Sequence, residues 1–482
     1  MTKITIFPQA KKNAEHLKST VLGSDVLFHQ VSVGKAQGVI AFTDGLCDKE
    51  LLGEQVLLPL ARLSEFLGEE SLSLLACPEV KTYADFPALT EALLGGDAVL
   101  FMDGFTVGYA FGCRKYPART VSEPPTSVVV KGPREGFVED MKTNLALIRK
   151  RLRSPALTFT GVSVGQYSGT PVTVVYLSGV ADETLAKRIV KRIQNIRIDG
   201  VPDSSYVAKF LQENPGSLIK QVGQTEKPDV FSAKLLEGRI GVIVEGSPIA
   251  LTLPFLLLED FQNPEDYYHS SYRSAFSRVL RILGVALSIL LPASYVGAQL
   301  FQLQLIPLKF LVTIVNSIKE IPFSPSLEML SLLLVFEILS EASIRMPKYI
   351  GMALSVVGAI VLGETAIHAG LVSTPAVLIM AVSGICTYTV PDLVGVTTVL
   401  RFSALLIAGT GGVYALSVAL AFFFIYLSSL ESFGIPQLAP YSPRVNPDLT
   451  DGFIKHPFFT GVKRPLSLKS KNRTRMQPPK RK

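Results

Sequence analysis

The chain has 482 residues, 48% of them hydrophobic and 18% charged. That is too apolar for an ordinary soluble protein and long enough for two to four domains. The formal net charge is +7, but from Arg444 onward eleven Lys or Arg face two Asp, so the tail carries the basicity and a generally basic, nucleic-acid-binding fold is excluded.

From the N-terminus to about Lys115 the pattern predicts a first α/β unit. MTKITIFPQAKKNAEHLK has no continuous apolar core, which argues against a secretory signal. VLFHQVSVGKAQGVIAFTDGL holds two alternating strands around Gly34 to Gly38. DKELLGEQVLLPLARLSEFL has helical spacing at Leu51, Val56, Leu60, Leu63 and Leu67. DFPALTEALLGG is a helix ended by Gly95 and Gly96, and DAVLFMDGFTVGYAFGC gives two strands around Asp103 and Gly104.

Residues 116–153 form a basic, proline-bearing linker followed by a helix with Leu145, Ile148 and Leu152 on one side. Lys131, Arg134, Arg149 and Arg151 belong to a basic cluster there. It reads either as a contact for lipid head groups or a neighbouring subunit, or as a solvated face. A second α/β unit, 154–262, follows. TPVTVVYLSGVA is a strand, DETLAKRIVKRIQNI a helix with Asp182 as N-cap, DSSYVAKFLQENP a shorter helix, and GRIGVIVEGSP a strand. IALTLPFLLLEDF is too short to span and reads as interfacial or as a buried strand. Gly161 to Gly165 spell G-x-S-x-G, but turn and strand follow where an esterase needs a helix. No catalytic constellation emerges. Cys47, Cys77, Cys113 and Cys386 are far apart, and the five histidines lack ligand spacing, so no disulfide framework, metal or cofactor is expected.

Residues 263–435 read as a helical, multi-pass membrane domain. Apolar segments lie at 280–303, 305–318, 327–344, 350–372, 375–395 and 403–430, and Arg273, Arg278 and Arg281 place the preceding domain in the cytoplasm. Five crossings would leave the basic tail outside. Either 305–318 also crosses, or 375–395, which holds Gly384, Pro391 and Gly395, is re-entrant. The tail, 436–482, is then cytoplasmic and suited to anionic lipid.

Within 350–372 one face carries Gly351, Ser355, Gly358, Leu362, Thr365 and Ala369, mostly small residues that admit another helix. A quarter turn away stand Val357, Val361, Glu364 and His368. A carboxylate and an imidazole at bilayer depth are costly and face protein or a water-filled path. Val361, Leu362, Glu364, Thr365 and His368 are therefore pore or gate candidates, against an ordinary packing role. Glu337 and Glu341 are candidates for an acidic cation path. Arg345, one turn after Glu341, offers the alternative of simple neutralisation.

Several strings resemble the A subunits of bacterial spore germinant receptors, the GerA family. They are EPPTSVVVKGPREGFVEDMKTNLALIRKRL (123–152), TEKPD (225–229), LLEGR (235–239), NPEDYY (263–268), PFSPSLEMLSLLLVFEILSEASIRMP (322–347), SVVGAIVLGETAIHAGLVS (355–373) and SFG (432–434), in the family's order. Ser340 stands where the family commonly has Arg, and Lys227 where it often has Arg. The resemblance implies a multi-pass subunit of the spore inner membrane, with its N-terminal domain and tail facing the core. It also implies a homo-oligomer, a pentamer around a monovalent-cation path, working with a transporter-like B subunit and a lipoprotein C subunit to start germination. A sporulation-stage channel paralogue shares the motifs. A membrane-anchored signalling scaffold and a transporter are the remaining readings.

Overall fold

The computed structural model describes residues 5–115, 131–319, 321–345, 363–457 and 461–476. Two five-stranded sheets make up the first half. The first has order β1-β2-β4-β5-β3, with β1 Val26–Val33, β2 Ala36–Thr43, β3 Val80–Tyr83, β4 Ala98–Met102 and β5 Gly108–Phe111. The second has order β6-β7-β9-β10-β8, with β6 Leu157–Val164, β7 Thr170–Leu177, β8 Gly223–Thr225, β9 Ile240–Val244 and β10 Ala250–Leu253. Adding five to each strand number of the first sheet gives the second. The α/β layering is as expected, yet every strand pair is antiparallel.

Each sheet is covered on both faces, so its central strands are apolar throughout. In β4, Leu100 and Met102 pack towards the helical run over 49–62, while Val99 and Phe101 pack towards the helices Ala10–Thr20 and Phe86–Leu94. In the second sheet, Val174 and Val242 face the helices Glu183–Gln194 and Ser204–Leu211. Val175 and Ile243 face Met141–Arg151 and Pro228–Leu236. The helix expected after the linker thus packs on the second sheet. Asp182 caps Glu183–Gln194, accepting from Thr184 N at 2.9 Å.

The second half is helical: Ser271–Phe301, Leu308–Ile318, Pro325–Arg345, Gly363–His368, Thr374–Thr387 and Val394–Ser429. Among the described residues, two stretches, Ser271–Phe301 and Pro391–Ser429, are long and apolar enough to cross a membrane. The last helix bends at Gly412 (φ 67°, ψ −162°). Gln302 Oε1 accepts from Val413 N there at 3.1 Å, taking up a donor that the bend releases.

The apolar stretch expected to run as a helix to Val372 stops at His368. Gly370 has φ +65°. The N–H of Gly370 donates to Ile367 O and that of Leu371 to Ala366 O, each at 3.0 Å, which is the Schellman arrangement that ends a helix at a left-handed glycine. Ser373 then caps the next helix. Residues 436–457 and 461–476 fold back onto the second α/β unit. Leu468 is buried beside Leu256, Ile435 and Ala439, and Arg464 Nε donates to Leu236 O at 2.5 Å. Within 436–457 and 461–476 the tail is anchored to the domain at Leu468 and Arg464, while Lys463, Lys469, Lys471, Arg473 and Arg475 remain exposed.

Candidate functional site at the domain junction and in the helical core

Three of the strings read from the sequence, TEKPD, LLEGR and NPEDYY, meet around one cavity of ≈ 410 Å³ between the second α/β unit and the start of the helical half. Its walls include Lys227, Asp229, Glu237, Arg239, Tyr267 and Tyr268. Asn263 opens the short helix Pro264–Tyr267 by accepting from Glu265 N at 2.9 Å. That turn places Asp266 under the first turns of Ser271–Phe301. Asp266 Oδ2 accepts from Arg278 Nε at 2.9 Å, and its Oδ1 accepts from Arg281 at 2.5 Å. Burial works to raise the Asp266 carboxyl, but the hydrogen bonds from Arg281 and Arg278 prevail and hold it below the usual range.

Arg278 is 1% exposed and also donates to Asp451 Oδ1 at 2.9 Å and to Gly452 O at 2.8 Å. Tyr267 donates to the other Asp451 oxygen at 2.8 Å. The short helix Pro264–Tyr267, the first long helix and the tail are thereby tied at one point. Arg278 and Arg281, expected as inside-flanking charges, are here internal ion-pair members. Tyr268 donates to Asp229 at 2.9 Å. Lys227 Nζ has Pro133 O at 3.0 Å and Asp229 only at 3.9 Å, and burial lowers its pKa.

A loop of the second α/β unit grips the end of the last helix. Ser217 Oγ and Tyr426 OH are 3.1 Å apart, and Leu218 N donates to Tyr426 OH at 3.1 Å. Ile219 packs with Leu427 and Leu430. Lys220 Nζ lies 2.7 Å from Asp260 and 3.9 Å from Asp392, which precedes that helix. Burial pushes Asp260 up to about 6 in spite of Lys220.

Arg149 leaves the expected basic surface. It is 1% exposed, and its Nε and Nη2 donate to Asp25 at 2.7 Å each. The pair joins the two α/β units, so Arg149 does not serve as a lipid or subunit contact. Arg151 pairs with Glu135 at 2.6 Å. Lys131 and Arg134 are exposed, and Lys131 N donates to Glu265 at 3.2 Å.

In the helical half, Glu337 is not a free acid. Arg401, 1% exposed, donates to it and also to Ser383 Oγ at 3.1 Å and Thr387 Oγ1 at 3.3 Å. One guanidinium therefore ties Pro325–Arg345, Thr374–Thr387 and Val394–Ser429 together, and the acidic path loses this member to a structural pair. Glu341 carries Arg345 at 2.5 Å on an exposed face. Glu364 and His368 stand 3.9 Å apart, 68% and 79% exposed. Thr365 and Ala369 are exposed beside them. Gly351, Ser355, Gly358, Val361 and Leu362 lie outside the described residues. Ser163 of the esterase-like string sits in β6 and donates to Gly169 O at 2.9 Å. It lies in a hairpin strand and not in a strand-to-helix elbow. Arg401 and Asp266 were missed by the sequence reading; a lone Arg in a long apolar stretch was the available signal for the first.

Residues 14–467 match the Bacillus/Clostridium GerA spore germination protein family. The chain is 31% identical to spore germination protein KA of Bacillus subtilis (strain 168), over 98% of this chain and 89% of that protein. It is 32% identical to the uncharacterized membrane protein YfkQ of the same organism, over 95% and 91%. The crystal structure of the N-terminal domain of the A subunit of the Bacillus megaterium spore germinant receptor GerK3 aligns with 53% of this chain and 99% of that one. Its identity is 24% and its TM-score 0.43. The chain belongs to the GerA family of spore germination proteins.

Proposed function

We propose that this chain is the membrane-embedded A-type subunit of a spore germination receptor, and that several copies assemble, as a pentamer, around a monovalent-cation path whose opening triggers germination. The observation that carries the reading is the Glu364–His368 face, exposed in the single chain within an apolar half. Lipid does not tolerate such a face, whereas a ring of copies or a water-filled path does. The surrounding surface supports membrane embedding: Leu378, Ile385, Leu406, Phe422 and Ile425 are all more than half exposed, beyond what water permits in a contiguous belt. The B and C subunits of the resemblance are the expected partners, the spore inner membrane the expected location, and no catalysis is part of the reading. A signalling scaffold whose partners conduct is the second reading. It is favoured by the knotted junction at Asp266, Arg278 and Asp451, which suits force transmission.

Monovalent-cation flux in vesicles or cells carrying the assembled subunit separates the two. The channel reading expects a constitutive leak from Val361→Ala or Leu362→Ala, and altered flux from Glu364→Gln at normal expression. Unchanged flux in all three, in assembled protein, moves the path elsewhere and leaves the scaffold ahead.

A further inference from the structure

The tail makes one tight turn beside the first long helix. Asp451 and Lys455 face each other across it as an antiparallel bridge, and His456 N donates to Thr450 O at 3.0 Å. Gly452, Phe453 and Ile454 are therefore its tip. A Cβ at Gly452 would lie 2.3 Å from the Tyr441 hydroxyl, so only glycine fits there. That hydroxyl accepts from Phe453 N at 2.7 Å, and the Tyr441 and Phe453 rings stack with centroids 4.2 Å apart.

The polar groups of the turn are used inward. Asp451 Oδ1 and Gly452 O both accept from Arg278. The Lys455 amine donates to Asp266 O and lies 4.2 Å from the centre of the Tyr267 ring. The apolar tip is left outward, with Phe453 37% and Ile454 59% exposed. Single exposed apolar residues need no explanation. What sets this adjacent pair apart is its level on the first long helix. At about 1.5 Å of rise per residue, a turn held by Arg278 lies close to the level of Phe276 and Leu280. There the helix surface changes character. Phe276, Leu280, Leu283 and Leu287 are exposed, and after Arg281 no Asp, Glu, Lys or Arg occurs until Lys309. Exposed Tyr272 and Phe276 mark the same level, where aromatic side chains suit a membrane–water boundary. Exposed Lys463, Lys471 and Arg473 follow in the same tail, which Asp448 ties back by accepting from Leu466 N and Ser467 N at 2.8 Å each. Cations there suit head-group phosphates.

We propose that the turn 452–454 is an interfacial membrane anchor, with Phe453 and Ile454 inserted between the lipid head groups and the acyl chains beside the first long helix. The occupant of this apolar tip is the same bilayer that the helix enters, because the helix's exposed apolar surface begins at the level of the tip. The inserted tip would hold the knot of Asp266, Arg278 and Asp451 at the membrane surface. The inference rests on the membrane embedding of the helical half and is independent of conduction.

The chain has no Trp, so a single introduced indole reports its own surroundings. The full chain is reconstituted in phosphatidylcholine–phosphatidylglycerol vesicles whose lipids are brominated either near the head group or deep in the acyl chain. Ile454→Trp should lose about half or more of its emission to the shallow bromines and less to the deep ones. Leu283→Trp, on the helix itself, should be quenched more by the deep bromines. Tyr167→Trp, on the exposed turn between β6 and β7, should keep its emission with both. Phe453→Trp, which keeps an aromatic ring on Tyr441, repeats the measurement if Ile454→Trp does not fold. Absence of quenching in Leu283→Trp overturns the embedding reading and the anchor with it. Quenching of Leu283→Trp while Ile454→Trp stays as bright as Tyr167→Trp overturns the anchor alone. So does quenching of Ile454→Trp from the deep position as strong as that of Leu283→Trp.

Discussion

The two halves of the molecule treat buried charge differently. In the α/β half, Arg149 has Asp25 and Arg239 has Glu259, and at the junction with the helices Asp266 has Arg278 and Arg281. In the helical half, Arg401 is paired with Glu337, but the buried Glu328 forms no ion pair among the described residues, and Glu364 and His368 stand exposed on an apolar body. The first half is finished by its own chain. The second leaves polar and apolar surface that only other molecules complete.

Removing one member of a fully buried pair is the strongest way to break that contrast. Asp25→Ala strands Arg149 between the α/β units and is expected to destabilise by about 3–5 kcal/mol. Denaturant unfolding of the chain reads this, and replacing both partners by apolar residues should recover most of the loss. Arg401→Met poses the same question in the helical half, where Glu337 is 23% exposed. Its cost should be smaller, about 2–4 kcal/mol by the same principle, read as thermal stability in detergent. A larger loss at Arg401 than at Asp25 would reverse the order of the two halves.

The junction titrates. Asp260 has a folded pKa of about 6 against an ordinary 3.8, so the folded state holds its proton where the unfolded state has released it. Stability contributed by this group is therefore full below about pH 4 and lost as pH rises to about 6, an effect of about 3 kcal/mol. Asp260→Asn should flatten the melting profile between those values relative to wild type. An unchanged slope would mean that the carboxylate is better solvated than its surroundings indicate. At the small end, Glu341→Gln removes an exposed i,i+4 pair and should change stability by less than about 0.5 kcal/mol in the same melts.

Legibility followed burial. The β1–β2 hairpin, the β4–β5 pair and the helices Phe86–Leu94 and Glu183–Gln194 were readable because clear turn or cap residues flank strong apolar patterns. The strands not read, β3, β6 and β8, are all at sheet edges. An edge strand pairs on one side only, and its polar residues blur the alternation. In β6 the exposed Gly161 and Ser163 drew attention to a catalytic string while Leu157 and Phe159 pointed inward. The cluster at Arg149 was read as surface because helical spacing tells which residues share a face, not what that face meets.

Local pattern thus determined what each stretch is: two α/β units, an apolar helical half, a basic end and the motifs of a germination-protein family. Hydrophobic period, turn residues and composition act over a few residues, and a sequence displays them directly. Which charges meet across distant parts of the chain was decided by the tertiary structure. Arg149 finds Asp25 across 124 positions, Arg278 finds Asp451 across 173, and Arg401 finds Glu337 across 64. Such pairs form because two packed elements leave no water for either charge, and that condition exists only once the chain has folded.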